Sequence, residues 1–422
     1  MPFYHRLPPA LHHRDFALFW AGSVLSGLGT QFTTVAMAWQ IYELTNSPLQ
    51  IGLLGLARAI PQIAMAIFGG LLADTMDRKR LMAGLQVVQW ATSATLAALT
   101  MLHLSSPEAL YAGAVVLALA SAVEQPARGA VVANLVPPHD LRSGVALHMV
   151  QRQIGNVAGP GLAGLALAFT GPAWCYGVDA ASWLAMLGAV LLVRTPLQSR
   201  YQAQPWSLET LLGGARFVMT QPVIFWFMVL DFGATLFGSP NALLPVFARD
   251  ILAVGPTGLG MLYAAISAGG LASATFLSAS SRLQAAGKWV LVGVVVYGAA
   301  IVLFAVTVNF WLALLMLALS GAGNGFSAVL RGTANQMLTP DNLRGRVGAF
   351  NNAFVMGGPQ LGQFESGVIA ELFGPQVSAI TGGLGALLLA LGVATIPAVR
   401  RFQLTAHIGP AVGAGASTAA RH

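Results

Sequence analysis

The sequence predicts an all-α integral membrane protein, with twelve transmembrane helices in two six-helix bundles related by a pseudo-twofold axis. Two observations carry that reading. Of 422 residues, 56% are hydrophobic and only 8% charged, whereas a soluble domain holds roughly a quarter charged residues. Apolar runs long enough to cross a bilayer, which takes about 20 residues of helix, recur along nearly the whole chain. Helices are expected because each satisfies its own backbone polar groups in lipid. The second observation is an internal repeat, in which a stretch following the fourth apolar run returns after the tenth.

In order, the runs cover residues 16–42, 49–73, 81–102, 109–133, 145–169, 173–193, 223–247, 258–280, 289–308, 310–336, 347–373 and 377–399. The first is a full-length span without an A-x-A-like exit, so no cleavable signal peptide is expected. The second ends near Gly69 and Gly70, which let a neighbouring helix approach closely. The fifth holds Gly155, Gly159, Gly161 and Gly164 for close packing, and Pro160, which removes a backbone donor and bends the helix. Most connections are short, and the longest lies between the sixth and seventh runs. It divides the chain into a bundle at 1–194, a linker at 195–222 and a second bundle at 223–401. The Gly- and Ala-rich tail, 402–422, is expected to be disordered.

The formal net charge of +7 reports orientation. With a cytoplasmic N-terminus, seventeen of the 21 Lys and Arg fall on inside segments, Arg249 alone in an outside loop, and Arg58, Arg128 and Arg152 within spans. The positive-inside bias then puts both termini in the cytoplasm, with the chain in the cell's inner membrane. The bases need no nucleic acid to explain them, and the lipid bilayer is the expected partner of the chain, taken as a monomer. The single cysteine, Cys175, cannot form an internal disulfide.

The repeat reads "RGAVVANLVPPHDLRSGVA" from Arg128 and "RGTANQMLTPDNLRGRVGA" from Arg331. Arg128, Gly129 and Pro137 match Arg331, Gly332 and Pro340, and Leu141 and Arg142 match Leu343 and Arg344 after a one-residue slip. The positive-inside bias explains the bases but not the shared RG-x7-P spacing. Two parallel six-span repeats around a membrane-normal axis are a design of secondary transporters, with a small-molecule site near the bilayer midplane between them.

The stretch "GLLADTMDRKRL" between the second and third runs resembles the signature of the major facilitator superfamily. Gly70, Leu72, Ala73, Asp74, Arg78, Lys79 and Arg80 fit it, while Asp77 stands where a glycine is common. "QPARGAVVANLVP" and "RQIGNVAGPGLAGLAL" are similar to the exporter branch that includes enterobactin and macrolide efflux proteins. The second piece also resembles the antiporter pattern through Gly155, Gly159, Pro160, Ala163 and Gly164. The resemblance implies the twelve-helix facilitator fold and export of an amphiphilic, drug- or siderophore-like molecule, driven by a proton gradient with no cofactor. It also implies a gate in which Asp74 latches the halves on the cytoplasmic side, near Arg78 and Arg346. Rival readings are a solute importer of the same fold and a non-transporting receptor or scaffold.

Ionisable groups within spans are costly and mark function by default. Glu124 lies about 15 Å from the inner end of span four and Arg152 about 11 Å into span five, so an ion pair between them is expected, as a strut or as cavity wall. Asp231, without an evident basic partner in its own half, is the first candidate for proton coupling, followed by Glu124 and Glu365. Asp179 is expected at the outer interface. Gln31, Arg58, Arg152, Asn324, Gln360 and Gln363 are candidates to line a substrate path, with Trp39 and Tyr263 adding aromatic surface. His12 and His13 lack further ligands for a metal site, no Gly-rich phosphate loop with Lys occurs, and no enzyme motif stands out.

Overall fold

The computed structural model describes residues 8–75, 77–197, 208–238, 240–279, 285–340 and 343–403. The regular structure among them is helical. The first part of the chain forms α1 (Arg14–Thr45), α2 (Pro48–Thr75), α3 (Arg78–Met101), α4 (Pro107–Leu135) and α5 (Leu141–Leu192). There follow α6 (Leu208–Thr220), α7 (Pro222–Phe237), α8 (Leu244–Val246), α9 (Gly255–Ala279) and α10 (Ala286–Val306). The chain closes with α11 (Phe310–Leu338), α12 (Arg344–Phe373), α13 (Pro375–Ala394) and α14 (Pro397–Arg400). A helical segment overlies every one of the predicted runs, and six of the described helices are long and apolar enough to cross a membrane on composition alone.

Helix ends follow local chemistry. Ser106 accepts from Ala109 N at 3.3 Å and precedes Pro107, which starts α4; Asn309 accepts from Leu312 N at 3.1 Å to start α11. Such caps satisfy donors that the first helical turn leaves open. Asp77, the departure from the superfamily signature, has the same job: its Oδ1 accepts from Arg80 N at 3.0 Å and starts α3. The predicted fifth and sixth spans are two arms of α5, parted at Gly171, whose φ of 78° suits glycine and which Pro172 follows. The arms fold back on each other, with Cys175 Sγ 4.0 Å from the Ala163 carbonyl.

Three boundaries differ from expectation. The seventh predicted span is not continuous: α7 stops at Gly238, and the chain resumes as α8 and a π-helical turn, Phe247–Ile251. Pro240 and Pro245 each lack a backbone donor there, and the Tyr297 hydroxyl donates to the freed Gly238 carbonyl. The linker contains a helix of its own, α6, which meets α7 at a bend of 104°. Gly214 of α6 lies so close to the start of α12 that an added Cβ would sit 2.8 Å from the Arg346 carbonyl oxygen. Packing also extends one residue into the expected tail, where Phe402 stacks edge-on against Phe227, with ring centroids 6.0 Å apart. Its carbonyl accepts from Gly287 N at 3.2 Å. The rest of that tail, 404–422, lies outside the described residues.

The two parts of the chain meet along α2 with α12 and α5 with α9. On the side remote from the N-terminus these helices touch through glycine. A Cβ on Gly260 would lie 2.5 Å from the Gly164 carbonyl carbon, and one on Gly367 would lie 2.8 Å from Gly52 Cα. Polar contacts reinforce the same end. The Tyr42 hydroxyl donates to Asp250, and the Arg249 guanidinium lies 5.4 Å from the Tyr42 ring centroid. Glu371 accepts from the Ser47 hydroxyl at 2.7 Å and from Leu49 N at 3.2 Å. Arg249 Nη1 also donates to the Tyr42 carbonyl at 3.4 Å, and a further hydrogen bond between the two parts runs from Gln360 Nε2 to Gln62 Oε1 at 2.6 Å. Adding a methyl group to the α5–α9 seam is overpacking of a kind that costs about 1–3 kcal/mol. Gly260→Ala should therefore open this end, and spin labels at the exposed Leu104 and Val308 should report a longer distance between the two parts than in the unmodified chain.

Candidate functional site

Beneath the glycine seams lies a cavity of about 250 Å³, at the lower edge of the size that holds small molecules. Besides the hydroxyls of Thr34 and Ser267, its polar groups are Gln31 from α1, Arg58 from α2, Asn156 from α5, Asn241 from the break after α7, Tyr263 from α9 and Gln363 from α12. Val35, Ile51, Leu54 and Ile266 supply apolar wall, and Pro160 lines it as well. Both parts of the chain contribute. Arg58 lies about 15 Å along α2 from its remote end, close to mid-membrane. The break after α7 brings Asn241 to the wall, and glycine brings Gln31: a Cβ on Gly159 would stand 2.7 Å from Gln31 Cβ.

The predicted cavity residues divide on this geometry. Gln31, Arg58, Gln363 and Tyr263 come together. Gln360 instead bonds Gln62, Arg152 is exposed, and neither Arg152 nor Asn324, half-buried on α11, is among the lining residues described. Trp39 is buried in the apolar core. Asn156 and Asn241 were missed. Asn156 sits next to Gly155 in the span-five pattern and was open to reading there, whereas Asn241 reaches the cavity only because the seventh span breaks.

The buried charges correct three expectations. Glu124 does not pair with Arg152. It accepts from Arg128 Nε at 2.9 Å, one turn along α4, and from Gln86 and Gln89 of α3 at 3.1 and 2.8 Å. Equal depth on neighbouring helices is no constraint on direction: Arg152 is exposed while Arg128 is buried against Glu124. Arg128 also donates to Ser26 at 3.1 Å and lies 5.5 Å from the Trp183 ring centroid. Asp231 is not unpaired, because Arg331 of α11 donates to it and also to Ser327 at 2.7 Å. Arg331, one of the seventeen bases counted on inside segments, lies within α11 and is 6% exposed. Asp179 is not interfacial. It is 1% exposed and accepts from Thr33 and Ser93 at 2.8 and 2.7 Å. Glu365 is half-buried beside Ser366, 3.4 Å from its hydroxyl.

These pairs share a pattern with the repeat. Arg128 and Arg331 are the matching arginines of the two copies, and both are buried against a carboxylate. In the first copy the acid stands four residues earlier on the same helix, at Glu124, and the neighbouring helix offers Ser26. In the second the roles exchange: position 327 is a serine and the neighbouring helix offers Asp231.

The signature bases also have local work. Lys79 Nζ donates to the Leu191 and Val193 carbonyls at 3.0 and 2.7 Å, at the end of α5, where open carbonyls favour a cation. Arg78 is buried and Arg80 exposed. Gly70 and the side chain of Asp74 fall in the stretch 66–76, which lies outside the described side chains. In the span-five pattern, Gly155 abuts the Gly27 backbone of α1, with a Cβ 3.3 Å from its carbonyl oxygen, and Gly164 makes the seam with α9.

A family model described as "Transmembrane secretion effector" matches residues 7–409. The chain belongs to this family of the major facilitator superfamily. Among its relatives, the enterobactin exporter EntS of Salmonella choleraesuis is 27% identical over 412 residues, which are 94% of this chain and 96% of that one. The exporter of the same name from Escherichia coli O81 is 27% identical over 404 residues, 93% and 94% of the two chains. A bacterial homolog to the human lysosomal transporter Spinster, in its inward-facing and unoccupied conformation, superposes with a TM-score of 0.73 at 15% identity, over 94% of this chain and 98% of that one. The nucleoside transporter NupG gives a TM-score of 0.69 at 16% identity, over 90% and 98%. This facilitator is a transporter and not an enzyme.

Removing one member of a buried ion pair costs about 3–5 kcal/mol, because the other charge is left without a partner. Asp231→Ala should therefore lower the melting temperature of the purified protein by several degrees. Adding Ser327→Glu, which copies the arrangement around Arg128, should restore most of the loss. A double variant as unstable as the single one would show that the carboxylate cannot be exchanged between the two positions.

Proposed function

We propose that this chain exports amphiphilic small molecules from the cytoplasm in exchange for protons, working by alternating access with both termini inside. The carrying observation is a mixed polar and apolar cavity built from both parts of the chain and sealed on the side remote from the termini. In the proposed topology that side is extracellular, so the cavity is in its cytoplasm-facing state. Residues 1–194 and 223–401 then act as the two rocking bundles, with α6 in the linker between them. The EntS relatives are enterobactin exporters, which supports the direction and a siderophore-like cargo.

Within this reading the arginine-paired acids Glu124 and Asp231 act as struts inside their bundles. Glu365 and Asp179, with no arginine to compete with a proton, are the better coupling groups. Asp74 and the bases that follow it form the cytoplasmic latch of the opposite state, made when the inner side closes. A latch present in one state biases a two-state equilibrium by its own free energy.

Inside-out vesicles holding the protein and energised to an acidic interior should accumulate members of a panel of catechol siderophores and hydrophobic drugs, and a protonophore should abolish the uptake. Asp74→Asn should lower the rate about tenfold, the effect of about 1.4 kcal/mol on the state balance. Uptake by intact cells would make the chain an importer. The absence of flux for every compound, with Asp74→Asn behaving as the unmodified protein, would remove the transport reading.

A further inference from the structure

Arg58 is the one charged group among the described residues that line the cavity. Its guanidinium carries five donors and is always charged. Among the described residues it makes a single hydrogen bond, from Nη2 to Met37 Sδ at 3.2 Å, and a thioether is a weak acceptor. No carboxylate among the described residues pairs with it. Arg128 and Arg331, buried within the spans and matched in the repeat, are treated differently: Arg128 has Glu124 and Arg331 has Asp231. A chain able to neutralise two interior arginines leaves the third open, and that one faces the cavity. Around it stand amide groups from both parts of the chain, Gln31, Asn156 and Gln363, beside the Tyr263 ring and the apolar wall at Ile51 and Leu54.

An interior cation without a counter-ion is costly. A planar fork of donors recognises carboxylate, sulfonate or phosphate through paired hydrogen bonds. We infer that the cargo is an organic anion, whose acidic group is held by the Arg58 guanidinium with the amides of Gln31, Asn156 and Gln363, and whose apolar body lies against Ile51 and Leu54. The cavity volume suits a body of one or two rings. Asn156 and Gln363 come from opposite sides of the glycine seams, so an anion bridging them and Arg58 touches both bundles at once. This inference rests on the transport reading only where it calls the bound anion cargo; binding itself is independent of flux.

The test uses two probes of matched size and opposite charge, 2-naphthoate and 2-naphthylmethylammonium, in equilibrium dialysis against the full-length protein in neutral micelles, with protein-free micelles as reference. The unmodified protein should bind the anion about tenfold or more tightly than the cation, as expected for charge-assisted bonds in a shielded site. Arg58→Gln should remove that preference while leaving the cation's affinity equal or improved, and Arg58→Lys should retain part of it. Equal binding of the two probes, a preference unchanged in Arg58→Gln, or no binding of either at millimolar concentration would overturn the inference. A lipid headgroup offers the same chemistry. The measurement is therefore repeated in nanodiscs of phosphatidylcholine with and without phosphatidylglycerol: unchanged naphthoate affinity supports a soluble anion, and displacement by the anionic lipid overturns it. Anion binding through Arg58 without proton-driven flux would sink the transport reading alone. Flux of neutral or cationic compounds that survives Arg58→Gln would sink this inference alone.

Discussion

Contact between bare backbones at the glycine seams is the constraint on which the rest of the structure depends. Gly164 against Gly260 and Gly52 against Gly367 leave no room for a side chain. In lipid no hydrophobic effect draws helices together, so close packing of this kind is a main source of attraction. The seams fix where the two parts of the chain touch and hence where they do not. Below them the helices carry larger groups, and the space left between these groups is the cavity. Glycine at 159 then admits Gln31 to the wall, so the same residue type both closes the end and shapes what lies beneath it.

Charge is handled by a second rule. A cation in the membrane interior needs either a carboxylate or water and ligand. Arg128 and Arg331 take the first course, each with a carboxylate and a hydroxyl on the same two helices of its repeat, and the two roles are exchanged between copies. The exchange preserves charge balance while altering which helix bears the acid, as expected of two duplicated units that diverged under the same electrostatic demand. Arg58 takes the second course. The contrast is informative because all three lie in one protein and face the same solvent problem.

Much of this was legible in the residues. The all-helical membrane class and the placement of helix along each apolar run follow from composition and run length, and the span-five glycines, Gln31, Arg58 and Gln363 stand out from the residues alone. What escaped was direction. Arg152 and Arg128 are both interior by depth, and only the helix rotation tells which faces Glu124. Asp231 seemed alone because Arg331 reads as the first residue of a basic loop motif, although the helix continues past it to Leu338. Asp179 seemed interfacial because its depth was judged along one helix, while its burial comes from α1 and α3 packed against it. The break after α7, which Pro240 and Pro245 announce, was overridden by the apolar run around it. Pair partners and helix breaks are tertiary facts, and a hydropathy pattern carries little of either.

The proposed alternating access requires this closure to be reversed, and its contacts are of a strength that allows it. Its hydrogen bonds at the remote end are exposed or only partly buried, and bonds of this kind contribute about 0.5–1.5 kcal/mol each. At the seam contacts themselves backbone meets backbone, with no side chain between the helices at Gly164–Gly260 and Gly52–Gly367. A large leucine-lined interface would hold the parts together by far more, since each buried side chain of that size is worth about 1.5–3 kcal/mol. A ligand can move a two-state equilibrium only by its differential affinity for the two states. Under the proposed cycle, sealing one end with glycine and a few polar contacts keeps the required difference within the reach of a single small molecule held, as inferred, by one arginine and a few amides. The same economy explains why the strong interactions, the Glu124–Arg128 and Asp231–Arg331 pairs, lie within each part of the chain and not between them. The parts stay rigid while the join between them remains soft.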